Sequence, residues 1–164
     1  MKKISEKSIT DLEFDIVLQQ AAERCSTELG RKALIDLRPY TSLSRVQIEI
    51  ERVNEYNSSF GSEHNIPNHG FESIDKALGL LAIENSKIEI DLFQHIAHLA
   101  KTAQTLVRFF KKTNLFFPNL YKFGEDIPIE KSIPSEVDRV IDRFGEIRNQ
   151  ASDSLAVIRK QMDQ

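Results

Sequence analysis

Tryptophan is missing from this sequence and cysteine occurs once, at Cys25. A lone cysteine closes no intramolecular disulfide, which fits a reducing compartment, and Cys25 reads as a packing thiol. No uninterrupted apolar run approaches the ~20 residues that a membrane-spanning helix requires. Lys2 and Lys3 open the chain, but Glu6, Asp11, Glu13 and Asp15 follow where a secretory signal needs an apolar stretch. These absences lead to the expectation of a soluble, cytoplasmic protein with no membrane partner. A dominant charge is lacking too. The net charge is −3, with 10 basic and 13 acidic side chains in residues 1–82 and 12 of each in residues 83–164. No half is basic enough to condense by itself on a phosphate backbone. Missing as well are Gly-x-x-x-x-Gly-Lys-Ser/Thr, Gly-x-Gly-x-x-Gly, Gly-x-Ser-x-Gly and His-Glu-x-x-His. Without them there is no phosphate loop and no common hydrolase signature. The expectation is a non-catalytic chain with no cofactor site and no metal site of its own.

What is present is helical periodicity, nearly throughout. Hydrophobic residues make up 40% and charged residues 29%, a globular balance able to offset chain entropy. Thr10-Asp11-Leu12-Glu13 has the form of a capping box, followed by an apolar stripe of Phe14, Val17, Leu18, Ala21 and Ala22. A second helix should start at Ser26 or Thr27 and run through Leu37, stopped by Pro39. A third opens at Ser42 or Ser44, with Val46, Ile50, Val53, Tyr56 and Phe60 on one side and Glu49, Glu51, Arg52 and Glu55 on the charged side. Residues 61–70 form the clearest loop. A fourth helix over 73–83 contains Gly79, where a close helix approach would justify the glycine.

Residues 87–90 alternate like a short strand, but an isolated one. The strongest helix is 91–112, with a wide apolar face from Leu92 to Phe110. Pro118 suits the first residue of a short helix. Pro128 and Pro134 bracket a linker before another short helix that Gly145 ends. The last helix begins at Ser152 and is still periodic at Gln164, so the sequence is expected to be a piece cut from a longer chain. One core is expected over residues 1–164, burying Phe14, Leu18, Leu34, Ile50, Val53, Ile96, Leu99 and Leu106.

Two clusters carry candidate chemistry. Asp91, His95 and His98 share one side of the strong helix and could form a metal clip, but only three ligands are in view and a solvated face explains them equally well. Arg108, Lys111, Lys112 and Lys122 are interleaved with Phe109, Phe110, Phe116, Phe117, Tyr121 and Phe123. Charge and stacking of that kind grip single-stranded nucleic acid, whereas six aromatics in so short a stretch also plug the end of a helical bundle. These four cations are the candidate nucleic-acid residues, weak ones in a chain of this charge. His64 and His69 lie in the long loop with no acidic ligand cluster beside them and read as loop polarity.

Three blocks, in order, resemble one family. The first is Leu12-Glu13-Phe14-Asp15 with Ile16 and Leu18, then Ser26 to Leu29-Gly30-Arg31, then Leu37-Arg38-Pro39. The second is Ile66-Pro67 with Gly70 and Ile74. The third is Gly145-Glu146-Ile147, followed by Ala151-Ser152, Leu155 and Ile158-Arg159. Together they resemble the N-terminal region of the MutS-two proteins, MutS relatives that lack the mismatch-reading domain and begin with the helical core. One departure is Asn149, where the family leads one to expect an acidic residue.

The resemblance implies an all-α fold, an irregular helical bundle like the third domain of MutS, ending in the first lever helix. It implies a parent with an ABC-type ATPase using ATP and Mg, often with a C-terminal Smr endonuclease domain. As a dimer, that parent would act on branched DNA in mismatch repair or recombination control, or on stalled ribosomes. The partner of this segment would be the remainder of the parent chain. No ATP or nuclease motif falls within these residues, so no catalytic residue is carried over. A self-contained helical protein–protein interaction module is the rival reading, and a small metal enzyme built on Asp91, His95 and His98 is a further one.

Overall fold

The computed structural model describes residues 5–162. Among them are nine helices: α1 (Glu6–Asp11), α2 (Phe14–Ala22), α3 (Glu28–Ile35), α4 (Leu43–Ser59), α5 (Asp75–Leu81), α6 (Ile90–Lys112), α7 (Pro118–Gly124), α8 (Ser132–Val140) and α9 (Asp153–Met162). The described residues contain no strand, only an isolated antiparallel bridge between Ile141 and Ile147. The fold is all-α, as its periodicity implies. No helix among the described residues is long and apolar enough to cross a membrane.

The contacts resolve into two compact units, one of residues up to 70 with 105–127, the other of 71–104 with residues from 128 onward. In the first, α2 packs against α1 and α3, α4 packs against α7, and Ile9, Leu18, Ala22 and Phe117 are buried. In the second, Ala77, Leu92, Ala97 and Ile141 are buried. Helix α6 lends residues 90–104 to one unit and 105–112 to the other.

Several helix ends follow from local chemistry. The Thr27 hydroxyl accepts from the Gly30 N–H at 3.1 Å and starts α3. Helix α3 stops at Ile35, and the Arg38 guanidinium donates to the carbonyls of Ile35 and Leu37, satisfying acceptors left over at the end. Pro118 is the first residue of α7 and Ser152 caps α9 through the Leu155 N–H. No strand forms at 87–90, because α6 already begins at Ile90. Along the apolar face of α6, Leu92 is buried and Phe93, Ile96, Leu99, Ala100, Ala103, Leu106, Val107 and Phe110 are half-buried.

Other expectations need correction. No capping box forms at Thr10: Ser5 caps α1 one turn earlier by accepting from the Ser8 N–H, Thr10 lies within that helix, and Glu13 adopts a left-handed φ of 51° before α2. Pro134 lies inside α8 rather than before it, which the first turn tolerates because its N–H groups have no helical acceptor. The start of α8 is held by Glu130, whose carboxylate accepts from the hydroxyl and the N–H of Ser132 and is thereby kept below its ordinary pKa range. Gly145 does not end that helix, which stops at Val140. Instead, the Asp142 carboxylate accepts from the N–H groups of Phe144 (2.8 Å) and Glu146 (2.9 Å), drawing the chain into a turn that Gly145 completes at φ 83°.

No other element approaches Gly79: beyond the backbone of its own helix, a methyl group there would meet no described atom within 4 Å. Of the expected core, Leu18 is buried and Phe14, Leu34, Ile96, Leu99 and Leu106 are half-buried. Ile50 and Val53 are instead 54% and 58% exposed. The reason lies on the opposite side of α4. There Glu49, Arg52 and Glu55 are half-buried because each finds a partner.

Candidate functional site

The four candidate cations belong to the first unit. Arg108, Lys111 and Lys112 occupy the last turns of α6 at i, i+3 and i+4, so they share one helix side, and Lys122 lies in the last turn of α7. All four are exposed. Lysines at a helix C-terminus also complement the negative end of its dipole. Thr113 closes α6, its buried hydroxyl donating to the Phe109 carbonyl at 2.9 Å.

The interleaved aromatics divide between packing and surface. Phe109, Phe110 and Phe117 form a three-ring cluster with centroids 5.3–6.2 Å apart, and Phe117 is only 2% exposed. Those rings are committed to the core and are closed to a stacking base. Phe116 and Phe123 remain largely exposed, yet each already has a neighbour. Phe116 meets the His64 ring at 4.2 Å, and Phe123 lies under the Arg52 guanidinium at 4.5 Å. The cations and the open ring faces are therefore not arranged as one continuous groove.

The other histidine of that loop is also tied in. Its Nε2 lies 3.2 Å from the Tyr56 hydroxyl and its Nδ1 3.0 Å from the Pro67 carbonyl, which pins His69 within the loop. Cys25 is half-buried, with Sγ facing the Ala21 carbonyl.

Asp91, His95 and His98 do not converge. Among the described residues no group of three His, Cys, Asp or Glu side chains is placed to hold a metal ion. The geometry explains why: seven residues of helix separate Asp91 from His98 by about 10 Å along the axis, too far for one ion to bridge from a single helix.

Glu55 is a side chain that sequence reasoning missed. One Glu55 oxygen accepts from the Asn119 N–H (2.9 Å) and side-chain amide (2.7 Å), and the other accepts from the Leu120 N–H (2.8 Å). Those N–H groups are among the first of α7, whose own N-cap residue, Phe117, offers no side-chain acceptor. A carboxylate 64 residues away thus supplies the cap and meets the positive end of the helix. Arg52 beside it pairs with Glu49 at 3.0 Å and leaves its buried Nε without an acceptor. The usable signal was Pro118 opening a helix with no Ser, Thr, Asp or Asn immediately before it.

Asn149, the departure from the family pattern, is engaged through its side-chain oxygen by the Arg159 guanidinium, which also donates to the Ile147 carbonyl at 3.0 Å. The amide keeps the contact and lacks the charge.

No family model matches the chain. It is similar to endonuclease MutS2 of Symbiobacterium thermophilum, 26% identical over 159 residues. Endonuclease MutS2 of Bacillus velezensis is 24% identical over 161 residues, and that of Geobacillus thermodenitrificans 26% over 161. Each alignment covers 97% of this chain and 20% of the relative, so the chain spans about a fifth of the length of these proteins.

Proposed function

Because the chain is a relative of the MutS2 family along nearly its whole length, we propose that it is the non-catalytic helical core of a longer MutS-like, ATP-dependent DNA-binding protein. In this reading residues 1–164 make one base for the lever helices and couple an ATPase elsewhere in the parent to its clamp. The parent would be cytoplasmic, would use ATP and Mg, and would act as a dimer on branched DNA or ribosomes. Any nuclease chemistry would lie outside these residues.

The observation that carries the proposal is the end-to-end alignment, which leaves no part of the chain over for a separate module. The surface supports it. Leu43, Ile50 and Val53 on α4, Phe60 at its C-cap, and Val157, Ile158 and Met162 on α9 are all more than half exposed. A self-contained interaction module would be expected to close its last helix, whereas these faces suit further packing within a larger chain. Arg108, Lys111, Lys112 and Lys122 would add weak, sequence-independent attraction to nucleic acid and not the main grip.

The test is to read the gene beyond the codon for Gln164. The proposal expects an open frame leading to a Gly-x-x-x-x-Gly-Lys-Ser/Thr loop. A long frame without such a loop, or a stop codon within a few residues, would contradict it.

A further inference from the structure

The second unit carries a cavity of about 300 Å³. Ala97, Val137 and Ile141 form its apolar floor, with Ala97 and Ile141 buried. Its rim is polar and comes from three places: His98 and Lys101 on α6, Asp138 on α8, and Asp142, Arg143 and Arg148 on the turn after α8.

The charges around the rim do not cancel. Lys101 is committed to Asp138, its Nζ lying 2.9 Å from Oδ1 and 2.8 Å from Oδ2. Asp142 spends Oδ1 on the N–H groups of Phe144 and Glu146. Arg148 uses Nε to donate to the Asp138 carbonyl at 2.8 Å, a bond that does not need its two terminal nitrogens. Three permanent cations therefore face two carboxylates, leaving one surplus positive charge. Arg143, which lines the cavity, covers one face of the ring of its chain neighbour Phe144 at 4.6 Å, and Phe144 is 75% exposed.

One surplus charge next to a ring with one face under Arg143 and the rest exposed matches one nucleotide: a single negative phosphodiester joined to a flat base. We propose that this cleft receives one nucleotide of a single-stranded nucleic acid, with its phosphodiester on Arg143 and Arg148 and its base on the Phe144 ring. A duplex keeps its bases stacked on one another, so it can offer the phosphate but not the base. The site belongs to the second unit, shares no residue with the Arg108 cluster and does not depend on the core reading.

The experiment maps backbone amide shifts of the whole chain by NMR during titration with a short oligo(dT), the matching duplex, and inorganic phosphate. Each titration is run at low and at physiological salt. Oligo(dT) should move residues 94–101 and 137–148, with affinity falling as salt rises. Phe144→Ala should weaken binding about tenfold, the usual loss of one stacked base. Arg143→Ala should weaken it and flatten the logarithmic salt slope by about 0.7. Both side chains are exposed, so the variants should retain the parent circular dichroism. The proposal is overturned if shifts are confined to residues 108–122 or absent, or if both variants bind like the parent. It is equally overturned if duplex or inorganic phosphate moves the cleft as strongly as oligo(dT), which would leave an anion contact with no base recognition.

Discussion

Removing the Glu55 carboxylate is the perturbation that most sharply tests how the first unit is held together. Glu55→Ala takes three accepted hydrogen bonds away from the start of α7, two of them from backbone N–H groups. A half-buried donor left without a partner costs about 1–3 kcal/mol, and loss of a capping side chain about 0.5–2 kcal/mol. These are overlapping descriptions of one contact, so the expected destabilisation is about 2–4 kcal/mol. Glu55→Gln keeps one acceptor oxygen but turns an amide N–H₂ toward a donor, and should cost about 1–2 kcal/mol. Glu51→Ala, one turn earlier on α4 at a side chain that is itself exposed, is the control and should stay within about 0.5 kcal/mol.

With two compact units a single unfolding midpoint is a poor readout. Amide hydrogen exchange at Asn119 and Leu120 is the better assay, supported by urea unfolding followed through tyrosine fluorescence. If Glu55→Ala leaves those amides as protected as before, α7 is held by something other than this carboxylate and the capping argument is wrong.

Four further outcomes are expected. Gly79→Ala should stabilise α5 by about 0.5–1 kcal/mol in urea unfolding, since the site is open and helical; destabilisation would reveal a close approach at that position. Asn149→Asp should turn the Arg159 contact into an exposed ion pair worth about 0.2–1 kcal/mol, a gain that high salt removes. The Asp142 carboxylate is held below its ordinary pKa first by the Glu146 N–H. Its contribution to the turn is thus complete above the usual aspartate range and lost as pH falls through the depressed folded value. NMR shifts of the Phe144 and Glu146 amides should show that acid transition in the parent, and Asp142→Asn should abolish it. Changing Lys111 and Lys112 together to Glu should weaken duplex binding and cut its logarithmic salt slope by about 1.8, whereas an unchanged slope in fluorescence anisotropy would remove both lysines from any nucleic-acid contact.

Most helices were legible because their signals are local. Thr27, Pro118 and Ser152 announced their own helix starts, and the apolar face of α6 was readable over its full length. What failed required knowledge of a distant partner. Glu49, Arg52 and Glu55 look like a solvated face until α7 and Phe123 arrive from more than 60 residues away. Once they do, α4 buries that side and leaves Ile50 and Val53 in the open. Gly145 resembles a helix stop, yet an aspartate three residues earlier bends the chain before it. The cationic candidates were visible as a cluster on the helix, but the pairing of neighbouring rings with one another, with His64 and with Arg52 is a tertiary fact. The cleft beside Phe144 draws on α6, α8 and the following turn, so no window of sequence contains it.

The proposed coupling between this segment and a remote ATPase is tested most directly by hydrogen exchange on the proposed full-length protein. Exchange along α6 and α9 would be compared with and without MgATP. The prediction is a change in protection along α9, the helix proposed to continue into the lever, with the interior of α6 unchanged. ATP turnover by the parent with every amide of residues 5–162 exchanging as before would contradict the coupling role.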